Sequence, residues 1–255
     1  MLPFASYPSL KDRAVFVSGG GSGIGASIVE HFAEQGAKVG FCDIDDAASQ
    51  ALVAKLSASG HAVPTYRRCD VRDVAAYQGV LAELAGTLGA FTVLINNAAR
   101  DDRHDLEEVT PAFWDERIAV NLRHQYFAIQ SVVPGMKQAG GGSIVNFSSV
   151  SYHAMTPRLS VYQAAKAAVI GMSRGLARDL GPDRIRLNSI TPGWIMTQRQ
   201  IDLWLTPEAE AGLMQAQCLK EKVYPPDIAR MALWLAADDS RMVTAQNFVV
   251  DGGRM

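Results

Sequence analysis

The chain has 255 residues, 48% of them hydrophobic and 20% charged, which suits one folded α/β domain and excludes a disordered chain. Lys and Arg number 24 and Asp and Glu 26, so the formal charge is −2 and no basic footprint for nucleic acid or an anionic membrane surface is present. No apolar run reaches the roughly 18–20 residues of a membrane span, Met1 to Lys11 show no basic-then-apolar leader, and Cys42, Cys69 and Cys218 lie far apart without a CxxC, as in a reduced, cytoplasmic protein.

In chain order, short apolar runs alternate with longer amphipathic stretches. Ala14 to Val17 reads as a strand, followed by glycines and a helix from Ile24 to Gln35. Lys38 to Cys42 is the second strand, and Ala47 to Ser59 the second helix. A strand from Val63 to Cys69 precedes a helix from Val74 to Leu88. Phe91 to Ile95 is the fourth strand, and one long helix is predicted from about Pro111 to Gln138. Ser143 to Phe147 is the fifth strand, with a helix from about Leu159 to Leu180 after it. Arg184 to Ile190 and Asn247 to Val250 complete the strands. Strands alternating with helices of ten or more residues imply βαβ units and a parallel sheet. Right-handed crossovers place helices on both faces, and the strands are apolar throughout, as burial on both faces requires. One doubly wound α/β domain over residues 1–255 is predicted.

After the first strand comes Ser18-Gly19-Gly20-Gly21-Ser22-Gly23-Ile24-Gly25. Glycines there permit a tight strand-to-helix turn and a close approach of a diphosphate to backbone N–H groups at the positive end of a helix. The competing reading is a turn needed only for close packing of helix on sheet. Asp43 ends the second strand, 18 residues past Gly25. An acid near this distance accepts hydrogen bonds from a ribose and repels a 2′-phosphate. No Arg or Lys lies in the turn, and Ile44, Asp45 and Asp46 follow Asp43. NAD is therefore favoured over NADP. The competing role for Asp43 is a helix cap.

Five further motifs complete a resemblance. Asn96-Asn97-Ala98-Ala99 follows the fourth strand, where an NNAG run is typical. Ser149, Tyr162 and Lys166 keep the spacing of a serine, a tyrosine 13 residues on and a lysine four after that. Asn121 lies mid-helix in Val120-Asn121-Leu122, Asp70-Val71 follows the third strand, and Pro192-Gly193 precedes Thr197. With the glycine turn, these resemble the short-chain dehydrogenase/reductase family over essentially the whole chain. Ser18 stands where that family has threonine in the turn, and Ala99 where it has the last glycine of NNAG. The resemblance implies a Rossmann-type fold and a cofactor held by Ser18, Gly19, Ser22, Gly23, Ile24, Asp43, Asp70, Val71, Asn97, Tyr162, Lys166, Pro192, Gly193, Ile195 and Thr197. It implies catalysis by Asn121, Ser149, Tyr162 and Lys166, with Lys166 on the nicotinamide ribose and Asn121 holding a water for proton relay. It also implies a homotetramer.

The chemistry follows from the residue types. Tyr162 and Lys166, at i and i+4, share a helix face. A free phenol titrates near 10, and a nearby ammonium is expected to lower that value. Tyr162 then takes the proton of a substrate hydroxyl as hydride leaves for the cofactor. Ser149 orients the substrate oxygen and steadies its developing charge.

Substrate choice falls to the loops. The expected contacts are Arg103, Ser149, Ser151, His153, Arg158, Tyr162, Trp194 and Arg199. Polar loops with a flat Trp194 suit a polyhydroxylated molecule, and runs such as Thr197-Gln-Arg and Trp204-Leu-Thr-Pro-Glu resemble bacterial sugar dehydrogenases of the D-xylose 1-dehydrogenase kind. Arg158 and Arg103, suited to bidentate carboxylate recognition, favour a sugar acid such as a 2-keto-3-deoxy sugar acid. The alternative is a neutral aldose oxidised at C1, with both arginines paired to Asp101, Asp102 or Asp105. His104, His124 and His153 have no metal-ligand spacing, and no metal is expected.

Overall fold

Seven strands carry the architecture: β1 (Ala14–Ser18), β2 (Lys38–Asp43), β3 (Thr65–Arg68), β4 (Val93–Asn96), β5 (Gly142–Phe147), β6 (Ile185–Pro192) and β7 (Asn247–Val250). They form one parallel sheet in the order β3-β2-β1-β4-β5-β6-β7. The structure, a computed structural model, describes residues 4–255. The first three residues of the segment read for a leader, and of the predicted domain, lie outside the described residues.

The sides of β1 explain the layering. Val15 and Val17 face one core with helices α1 (Gly23–Glu34), α2 (Asp46–Ala58) and α9 (Pro225–Ala236). Ala14 and Phe16 face the other, with α3 (Val74–Leu88), α5 (His124–Gln138) and α6 (Ser160–Leu180). Successive side chains of a strand point to opposite faces, so an all-apolar strand needs helices on both. The helices start where local chemistry supplies an acceptor. The side chains of Asp45 and Asp73 accept from the third residue on, Ala48 N and Ala76 N, each at 3.0 Å.

Several boundaries differ from the sequence reading, and three of the differences have a local cause or a bearing on the site. β3 begins at Thr65 because Pro64 has no N–H to give the ladder. The single helix expected from Pro111 to Gln138 is three pieces: α4 (Pro111–Ile118), a π-helical turn over Ala119–Arg123, and α5. The Asn121 side chain explains the interruption. Its Nδ2 donates to the Arg117 carbonyl at 2.9 Å, the group that Asn121's own N–H would reach in a regular α-helix. Finally α7 (Gln198–Trp204), α8 (Pro207–Ala216) and α9 fill the segment between β6 and β7, where Met214 and Met231 are expected on helices but the sequence sets no helix bounds.

The strand order reverses between β1 and β4. Connections leave these neighbours in opposite directions, which opens a crevice beyond their carboxyl ends. No helix among the described residues is long and apolar enough to cross a membrane.

Candidate active site

A cleft of about 880 Å³ occupies that crevice. Its floor at one end is the turn after β1. Gly19 has φ +65°, and a Cβ there would lie 2.8 Å from the Ala98 Cα. A Cβ on Gly25 would overlap the Gly19 carbonyl oxygen and lie 2.7 Å from Asn97 Nδ2. These two glycines are therefore required by packing, as the competing reading held. Ser22, Gly23 and Ile24 border the cleft, and Ser22, at the N-cap of α1, gives its first turn no side-chain hydrogen bond. The positive end of α1 is thus bare toward the cleft, as an anion requires.

Asp43 borders the cleft at the end of β2. One carboxylate oxygen accepts from Gly21 N at 2.8 Å, and the other from Ile44 N at 2.7 Å and Asp45 N at 3.0 Å. The helix cap is Asp45, so the competing role for Asp43 is taken by its neighbour. Asp70, Val71 and Asn97 border the same region, and Pro192, Gly193, Ile195 and Thr197 border it from the end of β6. A bare helix end behind a tight glycine turn and a fixed acid one strand out together fit a dinucleotide cofactor.

Ser18 departs from its expected role. It is fully buried, and its Oγ accepts from Asn97 N at 3.1 Å and Ala98 N at 3.2 Å. Asn97 Nδ2 donates back to the Gly19 carbonyl at 2.9 Å. Ser18 braces the loop after β4 against the glycine turn and does not border the cleft.

α6 brings Tyr162 and Lys166 to the cleft one turn apart. Buried hydrogen bonds fix the helix on the sheet: Asn96 Nδ2 to Asn146 Oδ1 at 2.8 Å, Asn146 Nδ2 to Ser173 Oγ at 2.9 Å, and Ser148 Oγ to the Lys166 carbonyl at 2.7 Å. Lys166 is 1% exposed. Its Nζ donates to the Phe147 carbonyl at 2.8 Å and lies 5.6 Å from the centre of the Tyr162 ring. Burial lowers its pKa to about 7, with Asp101 acting in the opposite direction. Burial also raises the Tyr162 phenol, Asp101 adds to the rise, and only the Ser149 hydroxyl pulls downward. Burial and Asp101 thus outweigh the Ser149 hydroxyl, and Lys166 adds no lowering of the phenol.

Asn121 also departs from expectation. It is fully buried away from the cleft. Its Oδ1 accepts from Arg100 N at 2.9 Å, its Nδ2 donates to the Arg100 carbonyl at 3.1 Å, and its own carbonyl accepts from Gln125 Nε2 at 3.3 Å. It clamps both backbone groups of Arg100, at the base of the loop that follows β4. His124 is equally buried. Its Nε2 lies 3.1 Å from the Ala98 carbonyl, and burial, with Lys166 second, lowers its pKa to about 3.

At the substrate end, Ser149, Ser151, Arg103, Arg158, Trp194 and Arg199 all border the cleft. His153 does not; it is exposed and its ring centre lies 4.0 Å from that of Tyr152. The three arginines have partners. Arg158 (φ +60°) precedes α6 instead of riding on it, and pairs with Asp105 at 2.8 Å. Arg103 stacks its guanidinium 4.7 Å above the Trp204 ring and donates to the Pro157 carbonyl at 3.0 Å. Arg199 reaches Asp102 at 3.1 Å and Asp101 at 3.5 Å. The pair of arginines expected across the cleft for a carboxylate is thus engaged elsewhere. Asp101, Gln200 and Trp204 border the cleft although none was expected as a substrate contact. Asp101 stood within the charged run Arg100–His104, but no signal joined that run to Gln200, which lies on α7.

Residues 19–254 match the family described as enoyl-(acyl carrier protein) reductase. The chain is 48% identical over 252 residues to a protein named probable galactose dehydrogenase GalD of Rhizobium meliloti (strain 1021), covering 99% of this chain and 98% of that one. It is 49% identical over 249 residues to D-xylose 1-dehydrogenase of Caulobacter vibrioides, covering 98% of each. Among solved structures, a 3-oxoacyl-(acyl-carrier protein) reductase with bound NAD from Brucella melitensis superposes with a TM-score of 0.88 at 32% identity, covering 100% of this chain and 98% of that one. Fold, cleft and relatives of matching length agree that the chain belongs to the short-chain dehydrogenase/reductase family, as an oxidoreductase acting on CH–OH groups.

Proposed function

We propose that the protein is an NAD-dependent aldose 1-dehydrogenase, oxidising a neutral pentose or hexose at C1 to the lactone. One observation carries this reading: 48–49% identity across the whole chain to two proteins named as sugar dehydrogenases. The partners of Arg158, Arg103 and Arg199 support it, because each arginine already has an acceptor or a ring within the chain and none needs a substrate carboxylate. The sugar-acid reading therefore gives way to the aldose.

The bare end of α1 and Pro192–Thr197 would hold the cofactor, whose nicotinamide would supply a positive charge and the hydride acceptor. Tyr162 removes the proton of the C1 hydroxyl. Ser149 donates to the same oxygen and holds it as charge develops. Lys166, anchored by the Phe147 carbonyl, keeps a donor beside the phenol and would reach the ribose. Asn121 acts at one remove, by holding Arg100. Asp43 accepts the adenosine ribose hydroxyls and repels a 2′-phosphate.

The test is NADH absorbance with D-xylose, D-galactose, their aldonic acids and 2-keto-3-deoxy sugar acids. The aldoses are expected to lead, and a sugar acid ahead of every aldose overturns the reading. The same assay is expected to favour NAD over NADP by tenfold or more, at least about 1.4 kcal/mol. Asp43→Ala is expected to erode that ratio, and equal efficiencies in the wild type refute the cofactor assignment.

The working form is a cytoplasmic homotetramer. Trp114 on α4, Tyr126 on α5 and Val249 on the edge strand β7 are 45%, 45% and 40% exposed, which supports apolar contacts along the helices and at the sheet edge. Light scattering is expected to give four times the mass of one chain at micromolar concentration; the mass of a single chain counts against it.

A further inference from the structure

Asp101 stands out among the cleft residues that the reaction above does not use. Its place is fixed from two sides. Asn121 clamps the N–H and the carbonyl of Arg100, the residue before it. Gln200 Nε2 donates to Asp101 Oδ2 at 2.8 Å, while Gln200 Oε1 accepts from Trp194 Nε1 at 2.9 Å. The indole can only donate and the carboxylate can only accept, so the Gln200 amide has one orientation. Trp194, Gln200 and Asp101 form a directed chain along the cleft wall.

The carboxylate is held but not saturated. It offers about four lone-pair positions. Gln200 takes one, and Arg199 Nε stands off at 3.5 Å while its Nη2 goes to Asp102 at 3.1 Å. The Asp101 side chain remains 23% exposed, and it borders the cleft. Hydrogen-bond donors complete such a group, and an aldose carries several hydroxyls besides the one oxidised. A preorganised acceptor on a rigid frame distinguishes a polyol from a simple alcohol.

We propose that Asp101 accepts a hydroxyl of the aldose other than the one oxidised, and that Gln200 and Trp194 aim it. This rests on the aldose reading above. Asp101 borders the same cleft as Tyr162 and Lys166 and acts electrostatically on both. A carboxylate there disfavours a substrate carboxylate as well, since like charges repel.

The experiment compares steady-state kinetics on D-xylose and its 2-, 3- and 4-deoxy analogues for the wild type, Asp101→Asn and Gln200→Ala. Asp101→Asn is expected to lower kcat/KM on D-xylose about ten- to a hundredfold, mainly through KM, as loss of one charge-assisted hydrogen bond does. On one deoxy analogue, the one lacking the accepted hydroxyl, the same substitution is expected to cost less than about threefold. Gln200→Ala is expected to give a smaller loss with the same pattern. It carries the test alone if Asp101→Asn fails to bind NADH by fluorescence. A wild type active on D-xylose whose Asp101→Asn loss is absent, or equal across the series, overturns the assignment and leaves the aldose reading standing. A wild type inactive on every aldose overturns both.

Discussion

Tyr162→Phe is expected to lower turnover by about 10²–10⁴-fold, the usual range for losing a general acid or base, while NADH affinity changes by less than about threefold. The ring keeps its contacts with Lys166, and only the oxygen that holds the proton is lost. Burial keeps the phenol protonated in the free protein. The reactive base form is therefore scarce at neutral pH, and oxidation by the wild type is expected to rise with pH as that proton leaves. The residual rate of Tyr162→Phe is expected to lose this rise. Stopped-flow or steady-state NADH absorbance from pH 6 to 10 reads both effects. A phenylalanine variant that keeps a tenth of wild-type turnover, or the same pH limb, removes Tyr162 from the role of base.

Gly25→Ala is expected to damage cofactor binding and stability together. Its methyl has nowhere to go, because the Gly19 carbonyl oxygen and Asn97 Nδ2 already fill the site. Both belong to the brace between the glycine turn and the loop after β4, so α1 must lift from the turn. Overpacking of this kind costs about 1–3 kcal/mol, or roughly 2–12 °C in Tm for a chain of this size. NAD affinity is expected to fall about ten- to a hundredfold, the equivalent of one charge-assisted hydrogen bond at the helix end. Gly79→Ala is the counterpart. It lies mid-α3 with open space around it, so the same chemical change is expected to leave stability level or raise it by up to about 1 kcal/mol. Calorimetry and NADH fluorescence on both variants check the pair. A Gly25→Ala protein that melts and binds like wild type refutes the steric argument.

The centre of the sheet was legible in the sequence because β1 and β4 are short, mostly apolar and flanked by turn residues, and Val15 to Val17 and Leu94 to Ile95 read as buried strands. The edge strand β3, Thr-Tyr-Arg-Arg, carries no such signal. The bounds of helices α7 to α9 were not legible. Their stretch is broken by Pro207, Pro225 and Pro226, and α7 has no buried residue. The π-helical turn was also hidden, since Asn121 alters the ladder through a side-chain bond that no periodicity reports. Motif spacing located the cofactor end down to Asp43 and the bare helix. It could not tell which members of a motif face the cleft, and Ser18 and Asn121 turned out to be braces behind it. The substrate end was least legible. The partners of Arg158, Arg103 and Arg199 are at Asp105, Trp204 and Asp102, residues far apart in sequence. A charge in a loop announces recognition and pairing in the same letters.

The pairing of α1 with α9 has a consequence for how the protein is made. Ile28, Val29 and Phe32 of α1 share one core with Ile228, Ala232 and Leu235 of α9. The ribosome makes α9 about 190 residues after α1 (225 − 34 = 191). At 5–20 residues per second the interval is on the order of ten seconds or more. Through that interval α1 has only β1, β2 and α2 to pack against, and the side that α9 covers stays open. The binding end for the cofactor is therefore fully backed only once α9 has formed. Until then the nascent protein shows an apolar face, and a truncation before α9 leaves that face uncovered.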